Sequence, residues 1–450
     1  MTLKIAIMKK IIWMFLFVTM ASMTAQAQVL PLKEQAKVID EVLADRLNNL
    51  LPVLMEKNNI DMWVLITREY NEDPIVKTML PATWLSARRR TIIVFYNNPA
   101  TKVFKKLAVA RYNVGDQIEA SWDMKKFPDQ WDALNNIIET YHPQKIGVNT
   151  STHFAHADGL DHTEYVEFTN KLSAANKAKV VSASNLGVAW METRTAREMQ
   201  YYPQLNSITH KIIAEGFSSK VITPGITTTD DLVWWFRQKV NDMGLTTWFH
   251  PSVEIQRNDD AVFDHLKAFT NVDKDNTIRT GDLLHVDFGI TYLRLNTDVQ
   301  EHAYVLAPGE KEAPAYLNEG LKTSNRLQDI LTSHFKENQT GNEILAASLA
   351  QMKQENINGS IYTHPLGFNG HAAGPTIGMW DQQNGVPGSG DYPMHYKTAY
   401  SIELNSATYI KEWKKDVRFM LEQNGYFDEK GFWYIDGRQT KLHLVGGKNN

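Results

Sequence analysis

The sequence predicts an α/β protein of two domains, on three observations. The first 190 residues alternate strand-like and helix-like stretches, the pattern of a small α/β unit. The second half carries several of its acidic residues inside apolar, strand-like runs. With 450 residues the chain is long enough for two cores, since domains commonly span ~100–200 residues.

Composition narrows the class. Hydrophobic residues make up 43% and charged residues 22% of the chain, the balance of an ordinary folded protein. The formal charge is −4, and loss of residues 1–27 with Lys4, Lys9 and Lys10 would bring it to −7. No basic excess therefore marks nucleic acid as a partner. Cysteine is absent, which excludes disulfides, thiolate ligands and a cysteine nucleophile.

Residues 1–27 read as an export signal. Lys9-Lys10 precede the apolar run Ile11 to Met23, and Ala25-Gln26-Ala27 supplies a small-residue cleavage pattern. The run falls short of the ~20 residues that span a bilayer. The expected destination is the periplasm or the medium, with no stable membrane insertion after signal removal.

In the following segment, residues 32–57 place Val38, Val42, Leu47, Leu50 and Leu54 near helical spacing, with Pro52 expected to kink or end the helix. Strands are expected at 62–66, 91–95 and 145–148, with a helix around 131–141. Arg88-Arg89-Arg90 reads as a solvated edge. Near residue 190 the texture changes: a long helix is expected over 192–216, and Thr228 and Asp231 form a capping-box start to a second one. The boundary is drawn so that 28–190 form one domain and 191–450 the other.

The chemistry concentrates in the second half. Asp287 and Asp298 fall inside what reads as a buried hairpin, and Glu403 and Glu422 sit among strand formers. Each buried carboxylate loses several kcal/mol of hydration unless a cation compensates, and neighbouring ones repel. His364 and His371 bracket a Gly/Pro-rich loop that excludes the two-histidine helix of H-E-x-x-H enzymes. A shared pair of divalent cations accounts for all of these groups together.

The ordered set Asp287, Asp298, His364, Glu403 and Glu422, with His371 seven after His364, resembles the pita-bread metallopeptidases: methionine aminopeptidase, aminopeptidase P and prolidase. The resemblance implies a C-terminal pita-bread catalytic domain behind an N-terminal creatinase/prolidase-like α/β domain. It also implies two divalent ions per chain, with Asp287 on one, His364 and Glu403 on the other, and Asp298 and Glu422 bridging. Glu403 would shuttle the proton from water to the leaving nitrogen, while His371 and His265 would face the substrate. The oxygen-rich set favours manganese, with cobalt, zinc and iron as alternatives. The implied substrate is a short peptide, with cleavage near its N-terminus as in Xaa-Pro aminopeptidases or dipeptidases, and the implied assembly is a homodimer. His250 is expected to be structural, and His285 to point to the face opposite Asp287.

Two features depart from the family pattern. In aminopeptidase P an arginine commonly stands two residues before the last glutamate; here that residue is Met420, with Arg418 two further back. The Gly/Pro/Asp-rich segment 380–394 reads as a loop of a subgroup. The rival readings are a metal-free creatinase-type amidinohydrolase and a non-catalytic binding module on the same fold. Intact ligands argue against both.

Overall fold

The computed structural model describes residues 29–261 and 276–446. The expected signal at 1–27 and His265 lie outside the described residues. The chain enters through helix α1 (Leu32–Asp45), passes a π-helical turn at Arg46–Leu50 and continues as α2 (Leu51–Lys57). Pro52 does not end the helix. It occupies the first turn of α2, where a missing N–H costs little, and the π turn before it takes up the mismatch.

Six strands follow: β1 (Met62–Arg68), β2 (Arg90–Asn98), β3 (Val103–Ala108), β4 (Glu119–Ala120), β5 (Ile146–Val148) and β6 (Val180–Ser182). They form one mixed sheet in the order β4-β3-β2-β1-β5-β6. Met62 to Ile66 of β1 are each at most 1% exposed, and burying a side chain of this size stabilises by roughly 1.5–3 kcal/mol. Trp63, Leu65 and Phe95 pack on one face with residues of α2, while Met62, Val64 and Ile66 pack on the other against Leu134, Ile138 and Phe168. The helices around the sheet are α3 (Pro74–Met79), α4 (Gln130–Tyr141), α5 (His162–Lys171), α6 (Ala174–Lys177) and α7 (Ser184–Glu192).

The expectation of one helix over 192–216 fails. α7 ends at Glu192, a short 3-10 turn holds Glu198–Gln200, and α8 begins afresh at Tyr202 and runs to Gly216. The break has an electrostatic cause. Glu198, 1% exposed, accepts the Thr195 N–H at 2.6 Å and pairs with Arg46 at 2.7 Å and Arg194 at 2.8 Å. Arg46 also donates to the carbonyls of Trp190 and Thr193. Burial lowers the Arg46 guanidinium to a pKa of about 10 despite Glu198. This buried cluster ties α1 to the crossing between the two halves of the chain.

The second half is built on a nine-stranded sheet. Its main path is β12-β14-β15-β11-β8-β7, with three further strands pairing off it. The strands are β7 (Ser252–Gln256), β8 (Leu283–Phe288), β11 (Val299–Val305), β12 (Gly359–Ile361), β13 (His364–Leu366), β14 (Thr398–Ile410), β15 (Lys415–Asp428), β16 (Gly431–Tyr434) and β17 (His443–Val445). A small hairpin of β9 (Thr291–Tyr292) and β10 (Leu295–Asn296) joins β8 to β11.

Helices α8, α9 (Thr229–Asp242), α10 (Ala315–Ser333) and α11 (Gly341–Gln354) complete this half, α9 opening with the expected Thr228/Asp231 capping box. Leu284, Val286 and Phe288 pack with α8 and α9, and Phe419 and Leu421 with α10. Gly320 of α10 makes the second contact feasible, because a Cβ there would lie 2.0 Å from the Phe419 ring. Strand alternation puts Asp287, Gln300, Glu403 and Glu422 on the opposite face.

Candidate metal centre

Register brings the acidic residues into one row across four strands. Asp287 pairs with Gln300, Gln300 with Glu422, and Glu422 with Glu403. Asp298 lies two residues before Gln300, and His364 opposite Ser401, two before Glu403. Both alternations keep these side chains on the row's face.

The result is a tight cluster. His364 Nε2 lies 3.5 Å from Glu422 Oε1, 3.7 Å from Asp298 Oδ2 and 3.9 Å from Glu403 Oε2. One set of ligand-type atoms within 4.8 Å comprises Asp287, Asp298 and Glu422, and another His364, Glu403 and Glu422. A third adds His371 to Asp298 and His364, so His371 stands close enough to ligate as well as to face a substrate. All five expected ligands and His371 therefore meet in one place.

Electrostatics shows what the place is short of. Burial and the neighbouring carboxylates push Asp287, Asp298 and Glu403 well above the usual carboxylate range. Burial acts the same way on Glu422, but the His364 imidazole 3.5 Å from it outweighs burial and lowers that group. Asp287 Oδ1, His364 Nε2 and Glu422 Oε1 are buried without a hydrogen-bond partner among the described residues. Unsatisfied buried acceptors converging on one point are costly, and a divalent cation is the group that would satisfy them. The residue set fits it.

The surroundings fix the geometry. Asn424 grips the Asp298 peptide from both sides, its Nδ2 on the carbonyl at 2.5 Å and its Oδ1 on the N–H at 3.3 Å. Thr363 does the same for Glu403 at 3.0 and 3.1 Å. The loop between His364 and His371 is anchored by Phe368, whose ring lies between Arg46 and Arg194 at 4.8 and 4.7 Å. A Cβ at Gly367 would touch the Arg194 guanidinium at 3.0 Å, and one at Gly370 the Trp248 ring at 2.1 Å.

His371 is exposed beside the cluster. Desolvation by its neighbours, with His364 beside it, lowers its pKa to about 4. Trp248 and Tyr362 flank it at ring distances of 5.2 and 6.0 Å.

Some expectations need correction or addition. His285 is two residues from Asp287, so alternation places it on the same face, and its Nε2 lies 3.0 Å from Gln300 Oε1. His250 is exposed against Arg237 and Trp234, away from the cluster. Gln300, Trp248 and Tyr362 are site residues that sequence reasoning missed. Gln300 alone carried a signal, its spacing of two from Asp298. Met420 shares a sheet face with Glu422, and Arg418 lies four residues from Glu422 on that face, ~13 Å along the strand.

The 380–394 loop bridges the two halves of the chain. Asn342 holds Val386 and Asp391, Tyr392 donates to Glu192 at 3.1 Å, and the Tyr392 ring meets Phe154 at 5.4 Å. It lines a cavity of about 610 Å³ with residues 150–154, apart from the carboxylate cluster.

Comparison with known proteins agrees with this geometry. Residues 202–422 match the model of metallopeptidase family M24. No curated protein matches the chain. Among solved structures, an X-Pro aminopeptidase from Thermotoga maritima MSB8 is similar at TM-score 0.62 and 14% identity, over 87% of this chain and all of that one. An Xaa-Pro dipeptidase from Bacillus anthracis is similar at TM-score 0.58 and 15% identity, over 92% and 100%. A prolidase from Pyrococcus horikoshii OT3 gives 0.55 and 16%, over 90% and 99%. At these identities the likeness establishes the fold, an N-terminal α/β domain followed by the pita-bread domain. The family match and the fold together identify residues 202–422 as a metallopeptidase domain of family M24 on the pita-bread fold.

Proposed function

We propose that this protein is a dinuclear metal-dependent exopeptidase that acts near the N-terminus of short peptides, as an Xaa-Pro aminopeptidase or an Xaa-Pro dipeptidase. The observation that carries the reading is the convergence of Asp287, Asp298, His364, Glu403 and Glu422 on one point, with three ligand-type atoms unsatisfied there. The preference for proline is supported by the X-Pro aminopeptidase and Xaa-Pro dipeptidase named among the similar structures.

Asp287, Asp298 and Glu422 would hold one cation, and His364, Glu403 and Glu422 the second, with Asp298 near enough to His364 to reach both. Manganese suits this donor set best, with cobalt, zinc and iron as alternatives. When bound, such cations polarise the peptide carbonyl and make a neighbouring water acidic at neutral pH. Glu403 would accept a proton from the attacking water and return it to the departing amine. Thr363 holds the Glu403 backbone through its N–H and carbonyl. His371 donates a hydrogen bond to the substrate from the rim, and Trp248 and Tyr362 shield that side from water.

In this reading residues 1–27 are a signal peptide, 28–190 and 191–450 are the two domains, and the mature protein works in the periplasm or medium as a homodimer. The test is elemental analysis of the purified protein, followed by manganese-reconstituted cleavage of Ala-Pro, Ala-Pro-Ala and Ala-Ala-Ala. The expected result is about two metals per chain and proline-dependent release of alanine, the dipeptide-to-tripeptide ratio separating the two activities. A metal-free protein that cleaves none of the three would refute the proposal.

A further inference from the structure

Gln300 occupies the centre of the acidic row, between Asp287 on one side and Glu422 on the other. It is 6% exposed. Its Nε2 donates one hydrogen to Glu403 Oε1 and one to Glu422 Oε2, both at 2.8 Å. The reverse amide orientation would turn a carbonyl oxygen toward two carboxylates, so the orientation is fixed by chemistry. Gln300 Oε1 must then accept, and His285 Nε2 donates to it at 3.0 Å. Glu254 Oε2 in turn lies 3.2 Å from His285 Nδ1. The chain Glu254, His285, Gln300 thus runs from β7 through β8 to β11 and ends on two glutamates.

Its effect is to choose oxygens. With Glu403 Oε1 and Glu422 Oε2 engaged by the amide, Glu403 Oε2 and Glu422 Oε1 are the atoms turned to His364 Nε2, at 3.9 and 3.5 Å. A charged donor at position 300 would compete as a counter-ion, and an apolar residue would leave both glutamates free to rotate. A neutral amide orients them and leaves their charge for a cation.

We propose that Gln300, steadied by His285, is a positioning residue that presets Glu403 and Glu422 for metal before any metal arrives. This rests on the metallopeptidase reading above. Supporting groups of this kind typically change metal affinity 10–100-fold.

The test is calorimetric titration of manganese into the metal-stripped full-length protein, comparing wild type, Gln300→Met, His285→Phe and the double variant. Methionine keeps the length and loses both donors. Gln300→Met should weaken manganese binding about 10–100-fold. His285→Phe should weaken it less, and the double variant should match Gln300→Met rather than the product of the two effects, because both act through one chain. Should Gln300→Met fail to fold, His285→Phe carries the test with the same sign of change. Unchanged affinity in the variants with normal binding by wild type would overturn this inference alone, and so would independent, multiplicative effects. A wild type that binds no manganese would overturn the metallopeptidase reading and this inference with it.

Discussion

Replacing Asp298 by Asn should stabilise the metal-free protein while abolishing its response to metal. Asp287, Asp298 and Glu422 present carboxylate oxygens within 4.8 Å of one another. At an effective dielectric of about 20, each ionised pair at that separation costs about 3.5 kcal/mol. Protonation limits the cost, which is why Asp287 and Asp298 are driven well above the ordinary carboxylate range. An amide at 298 removes two such repulsions. The backbone stays held, because Asn424 and Ser401 bond the peptide of residue 298 rather than its side chain. The expected gain in the chelator-treated protein is about 1–3 kcal/mol after discounting for protonation, read from urea unfolding at neutral pH. Manganese at 100 times its dissociation constant should add about 2.7 kcal/mol to wild type and nothing comparable to the variant. A variant less stable than wild type in chelator, or one that manganese stabilises equally, would refute the reasoning that repulsion is kept here for the sake of a cation.

Three further outcomes follow from other parts of the molecule. Glu198→Gln should cost about 3–5 kcal/mol in urea unfolding, since it leaves two buried guanidiniums without their carboxylate, and a loss below 1 kcal/mol would show the cluster to be dispensable. His371→Ala should retain its metals by elemental analysis yet lose at least 10²-fold in kcat; loss of a metal instead would make His371 a ligand, as its closeness to Asp298 and His364 allows. On the opposite face of the sheet, His210 bonds Asp436 at 2.9 Å and Gln423 at 3.0 Å, and His443 bonds Glu301 at 2.6 Å. Burial alone would lower the His210 pKa, but Asp436 and Glu301 raise it above its ordinary 6.5, so its contribution is full below 6.5 and lost as pH rises past the raised value. Burial alone would raise Glu301, but His443 and His210 lower it below its ordinary 4.5, so its contribution is full above 4.5 and lost toward lower pH. The melting-temperature difference between wild type and His210→Leu should therefore be largest near pH 5–6 and shrink by pH 9; a pH-independent difference would contradict the ion pairing.

What could be read from the sequence and what could not divide along a physical line. Carboxylates placed in apolar strands at 283–288 and 417–422 advertise an electrostatic demand that any fold must meet, so Asp287 and Glu422 were legible before their partners were known. The helix expected over 192–216 looked equally well founded by local spacing. It fails because Glu198 finds its partner Arg46 152 residues away, and no local pattern encodes that pairing. Gln300 shows the same limit within the site. Alternation from Asp298 places it on the ligand face, yet what makes it matter is contact with Glu403 and Glu422, 103 and 122 residues further on. Ligands are dictated by the ion and so recur as residue types in order, whereas the groups that aim them are dictated by which strands become neighbours. A site of this kind therefore announces its chemistry in the sequence and conceals its tuning in the register of the sheet.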